Sequence, residues 1–194
     1  TYLARTANIS KYTDGRFFPE YQLANTAEPL FEAQAHPRRP VPLCDDWPKG
    51  DFLLVVTEED TAFGALAPHP PAATLGLLAT EDRSPLAVGG PALAFAAGAL
   101  QDATGDPGES SDWAEAMIEA ATAAKTSTIV TAAPPVGPVA DRLAKAKPAL
   151  ESGGLSLHCI RREYDSTTWP HATKGFFALK TKIPSILRSL GLGA

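Results

Sequence analysis

Four consecutive polar residues stand out as able to do chemistry, Thr57-Glu58-Glu59-Asp60, because they directly follow an apolar run and hold three carboxylates within three positions. Carboxylates at the carboxyl end of a buried strand can bind a cation, move a proton or line a ligand crevice. The competing reading is a solvated loop or a helix cap, the commoner fate of acids after a strand. Thr131 stands at the end of a later β-branched run and would face the same crevice. The second chemically suggestive group is Trp169-Pro170-His171 with Lys174 beyond it, where an aromatic ring, an imidazole and a cation could hold an anion or a stacked ring. A packed tryptophan beside a hydrogen-bonded histidine explains the same residues.

Other patterns argue against particular chemistries. Pro134-Pro135-Val136-Gly137-Pro138 lies where a phosphate loop would, but its prolines remove the amide donors that a phosphate needs. Gly89-Gly90-Pro91 lacks the spacing of a dinucleotide or P-loop fingerprint and reads as a turn. No serine sits in a Gly-x-Ser-x-Gly elbow, so a hydrolase is not expected. Cys44 and Cys159 are the only two cysteines and have no metal-ligand spacing, so both are read as structural thiols, with no disulfide framework or metal site.

The elements that would position these groups begin at residue 51. Phe52-Leu53-Leu54-Val55-Val56 is a continuous apolar run after Gly50, the pattern of a strand covered on both faces. Leu75 to Ala79 is a second strand, ended by the charged tract Thr80-Glu81-Asp82-Arg83-Ser84-Pro85. Pro91 to Ala103 is alanine-rich and opens on a proline, as a helix tolerates at its first turn. A Gly, Asp, Pro and Ser tract over Thr104 to Ser111 is a loop, after which Ser111 or Asp112 caps a helix from Trp113 to Lys125. In that helix Trp113, Met117, Ile118 and Ala121 form the core stripe. Thr128 to Ala132 is a third strand, Val136 to Leu150 a helix with a disturbance at Pro148, and Gly153-Gly154 its stop. Leu155 to Ile160 is a fourth strand, and Thr173 to Leu190 a basic segment broken at Pro184.

Alternation of strands and helices predicts an α/β domain with an open parallel, Rossmann-like sheet of about four to five strands and flanking helices. Residues 1–50 differ: proline keeps them extended between aromatic anchors, which predicts an arm. Phe17, Phe18, Phe31 and Trp47 are the arm residues expected to dock, either on their own domain or on a partner protein. At 194 residues and 44% hydrophobic the chain can bury a core, and its net charge of −5 with no long basic run provides no field for a nucleic-acid backbone. The apolar runs Phe52 to Val56 and Ala92 to Leu100 are too short to span a bilayer. A soluble, intracellular protein is expected. The start at Thr1 predicts a removed targeting segment or a fragment, and the Ala- and Pro-rich composition fits a chloroplast or mitochondrial protein as well as one from a high-GC bacterium.

In their order, the segments from residue 51 resemble the amino-terminal α/β domain of the photolyase and cryptochrome family. Leu53-Leu54-Val55-Val56-Thr57 resembles that family's first strand, and Trp113 to Val130 its later helix and strand. Val136 to Leu157 is similar to the helix, paired glycines and strand that follow, and Trp169-Pro170-His171-Ala172-Thr173-Lys174-Gly175-Phe176-Phe177 to the closing segment that leads towards the flavin-binding helical domain. Thr57-Glu58-Glu59-Asp60 replaces the family's arginine and aspartate signature after the first strand. The resemblance implies a fold and carries over no catalytic residue; it does not imply light-driven DNA repair by this polypeptide alone. The expected function is a non-catalytic structural or assembly subunit that binds other protein subunits and needs no cofactor. The alternative is a domain that holds a flavin, folate or nucleotide near Thr57 to Asp60 and Thr131 to Pro135.

Overall fold

The computed structural model describes residues 4–20, 26, 31, 40–105, 107–108 and 111–192. The chain divides into two compact units, Thr1–Arg39 and Pro40–Ala194. In the first, α1 (Thr6–Tyr12) interrupts the extended arm expected there. Its ends are fixed locally: Thr6 Oγ1 donates to the Pro19 carbonyl at 2.8 Å, and Thr13 Oγ1 accepts from the Phe17 amide at 3.3 Å. Phe17 and Phe18 are exposed. Phe31 is also exposed, and most of residues 21–39 lie outside the described residues.

The second unit is an open, wholly parallel α/β sheet with helices on both faces. Its strands are β1 (Leu53–Thr57), β2 (Ala73–Leu77), β3 (Thr128–Ala132) and β4 (Ser156–Ile160), in the order β2-β1-β3-β4. Between them run α2 (Gly90–Thr104), α3 (Trp113–Ala123) and α4 (Pro138–Ser152). After β4 come α5 (Glu163–Thr168), a 3-10 turn at Trp169–His171, α6 (Phe176–Lys180) and α7 (Ile183–Ser189).

β1 is buried along its whole length because successive side chains feed two cores. Leu53 and Val55 join Leu77 and Ile129 against Trp113 and Met117 of α3 and Val139 and Leu143 of α4. Leu54 and Val56 face the other way, with Phe52, Phe63, Leu100, Val130 and Ile160. Trp47 stacks on Phe63 at 5.3 Å and tilts against Phe52 at 5.8 Å, so this ring of the expected docking set lies against its own domain.

Several boundaries shift for identifiable reasons. β2 covers Ala73–Leu77 rather than Leu75 to Ala79, since its pairing is set by register with Leu53–Thr57 and the Ala79 amide goes to the Glu58 carboxylate instead. Asp112 is the cap chosen for α3, its Oδ1 accepting from the Glu115 amide at 3.1 Å. Pro148 sits inside α4 without ending it. Pro184 lies in the first turn of α7, where a proline costs no hydrogen bond, so it opens a helix rather than breaking one. Gly108, at φ +77°, lies where a Cβ would run into Leu100 Cδ2 and stand 3.1 Å from the backbone of Gly76 and Leu77; glycine alone lets this loop close on the end of β2.

The outer edge of β4 is not bare. The Asp45 amide donates to the Cys159 carbonyl at 3.1 Å, and Asp45 Oδ2 accepts from the Cys159 amide at 2.8 Å, so Asp45 covers part of that edge. Burial pushes the Cys159 thiol pKa up, with the Asp45 charge adding to the shift, consistent with a structural thiol. Among the described residues no helix is long and apolar enough to cross a membrane.

Candidate functional site

A parallel sheet gathers all its strand ends at one edge, and in the order β2-β1-β3-β4 the chain changes direction between β1 and β3. That switch point is where open α/β sheets form their crevice, and Glu58, Glu59 and Asp60 leave β1 there.

Each acid meets groups of this chain. The Glu58 side chain is only 6% exposed. Its Oε1 accepts from the Ala79 amide at 3.0 Å and from Thr80 Oγ1 at 2.8 Å, with Arg83 Nη2 at 3.7 Å. This ties the end of β1 to the 3-10 turn at Thr80–Arg83 that follows β2. Asp60 is held by a two-point pair with Arg162, Nη2 at 2.6 Å and Nε at 2.9 Å, which fastens β1 to the chain leaving β4. Glu59 lies 3.6 Å from Arg83, yet its Oε2 is buried without a hydrogen-bond partner. Burial raises its carboxyl above the ordinary glutamate range; Arg83 opposes that shift and Glu58 adds to it.

A second bridge stands beside the first. Arg142 of α4 donates from Nε to Asp82 Oδ2 at 2.5 Å, from Nη2 to Asp82 Oδ1 at 3.1 Å, and from Nη1 to the Ser111 carbonyl at 3.1 Å. These hydrogen bonds hold the Asp82 carboxyl below its usual range. The guanidinium also lies 5.9 Å over the Trp113 ring. Arg142 and Ser111 line two adjoining clefts. One, of about 440 Å³, has Leu78, Leu93, Ala94 and Ala97 as its apolar wall and Thr80 and Glu81 on its polar side. The other, of about 500 Å³, is lined by Asp82, Asp112, Trp113, Asp141 and Lys145.

The remaining candidates are elsewhere. Thr131 is 1% exposed and sits within β3, in register with Val55 and Cys159, so it belongs to the sheet interior. Trp169 lies under the Arg161 guanidinium at 5.3 Å, while His171 is exposed in the same 3-10 turn. Neither makes a hydrogen bond or ion pair with the strand-end acids among the described residues. Thr57 is 5% exposed, and the turn that follows it closes where the Asp60 N–H reaches the Thr57 carbonyl at 3.1 Å.

Sequence reasoning located the acids but missed their partners Arg83 and Arg162, and the neighbouring pair of Arg142 with Asp82. A usable signal existed: charged residues follow β1, β2 and β4, and parallel strands bring such tracts to one edge. Among the described residues no cluster of histidine, cysteine and carboxylates has the grouping of a metal centre. No family model matches this chain, and neither a curated protein nor a solved structure matches it.

Proposed function

We propose that this chain is a photolyase-like α/β domain used without catalysis, a structural or assembly subunit that binds other protein subunits. One observation carries the reading: two of the three acids at the switch point are bonded to the chain's own donors, Glu58 to Ala79 and Thr80 and Asp60 to Arg162. Carboxylates used in this way join strand ends and are not held open for a substrate. Phe17 and Phe18, 59% and 60% exposed, support a docking role for the first unit, since large apolar rings left in water are a common mark of a protein contact.

A second reading is favoured by the 440 Å³ cleft, whose mixed apolar and polar walls suit a flavin, folate or nucleotide at the end of β2. Native mass spectrometry with a visible spectrum, on the chain purified from its own source without added cofactor, separates the two. The expected result is a stoichiometric assembly with other protein and no bound small molecule. A monomer that releases a flavin, folate or nucleotide on denaturation would overturn the assembly reading in favour of the second.

A further inference from the structure

The charge of the second unit is divided along the chain. Residues 40–160 carry six Lys and Arg against sixteen Asp and Glu, whereas residues 161–194 carry six against two. The basic part includes several apolar groups exposed to solvent within a short stretch of chain. Phe176 and Phe177 are 61% and 83% exposed and meet edge to face with ring centroids 5.7 Å apart. Ile183 and Leu187, one helical turn apart on α7, are each 36% exposed. Ile186, between them, is buried. Lys174, Lys180, Lys182 and Arg188 are exposed in the same stretch of chain, and among the described residues no ion pair holds any of them.

We propose that this α6–α7 surface docks on an anionic lipid bilayer, with Phe176 and Phe177 entering the boundary of headgroups and acyl chains and the lysines meeting lipid phosphates. Basic side chains beside protruding apolar ones are the combination that binds such an interface, through buried apolar area and attraction to anionic headgroups together. Ile183 and Leu187 add aliphatic area that acyl chains can cover and a nucleobase cannot stack on, so a lipid layer uses more of this surface than a single strand would. A deformable lipid layer also accepts two rings protruding side by side without a pre-shaped groove. Lys174, Lys180, Lys182 and Arg188 supply the positive charge that attracts such a surface.

The test is flotation of the full chain with vesicles of phosphatidylcholine mixed with phosphatidylglycerol, against vesicles of phosphatidylcholine alone. Binding is expected to the mixed vesicles only and to weaken as salt is raised. The double variants Phe176→Ser with Phe177→Ser, and Lys180→Glu with Lys182→Glu, should each lower the affinity by about tenfold or more at unchanged thermal stability. Failure of the intact chain to bind anionic vesicles overturns the proposal, as does binding that neither double variant weakens. Retention of oligothymidine or polyglutamate through the same residues, without vesicle binding, would assign the surface to a different anionic partner and also overturn it.

Discussion

The edge of the sheet and the α6–α7 surface are both rich in charge, and they treat it in opposite ways. At the edge, Glu58, Asp60 and Asp82 each receive hydrogen bonds from the same chain, and two arginines bind a carboxylate at two points each. In and next to α6 and α7 the four cations have no ion-pair partner among the described residues, in a stretch of chain that also exposes two phenylalanines. The physical difference is desolvation. A carboxylate with 6% of its side chain exposed, such as Glu58, needs donors from the fold, because leaving it unpaired would be costly. An exposed lysine has water, and no folding requirement fixes where it sits. Charge at the edge therefore reports on stability, and charge at the α6–α7 surface is free to report on an external partner.

The sharpest way to break this comparison is Glu58→Ala, which strands the Ala79 amide and the Thr80 hydroxyl beside Arg83. A loss of about 2 kcal/mol is expected in urea unfolding. An unchanged or raised stability would instead mark Glu58 as a group held for function at the fold's expense. Asp60→Asn keeps the shape but weakens the two-point pair to the one-third exposed Arg162, and should cost about 1 kcal/mol.

Glu59→Gln tests the same edge with the opposite sign. Its carboxyl pKa is raised in the fold, so its ionised form weakens the folded state: the stability it contributes is present below the ordinary glutamate value and lost as pH rises through the folded value. The variant should therefore be more stable at neutral pH by roughly 0.5 kcal/mol, and the gain should vanish in acid below about pH 4. Asp82→Asn runs the other way. Its carboxyl pKa is lowered, so its contribution is present above the ordinary aspartate value and lost as pH falls through the folded value. With Asp82 44% exposed, less than about 1 kcal/mol is at stake, and added salt should erase it. The smallest effect belongs to the other region: Lys180→Glu should change stability by no more than about 0.5 kcal/mol, because no ion pair among the described residues depends on it.

Elements with a strong periodic or compositional signature are legible in the sequence. Thr128–Ala132 is a β-branched run and forms a strand over those same residues, and the Trp113, Met117 and Ala121 stripe is the buried face of α3. Elements whose limits depend on partners are not. β2 shifts by two residues because β1 sets its register, and α5 lacks buried residues to give it a stripe, so nothing in its composition announces a helix. The candidate site divides in the same way. Three adjacent carboxylates after a strand can be seen in a sequence, whereas Arg83 and Arg162 become their neighbours only once the strand order is known. The place of Thr131 at the end of an apolar run points to the crevice; pairing on both sides of β3 puts it inside the sheet instead.

Hydrophobic spacing, turn residues and the position of prolines determined by themselves that this chain forms an alternating α/β domain, since those signals act within a few residues of where they are read. Only the tertiary structure decided what its charges do. Whether a carboxylate is a ligand site or a tie between strands depends on which donor lies within about 3 Å, a distance set by strands far apart in the chain. The same packing buried Ile186 and left Phe176 and Phe177 in water, although all three side chains are apolar.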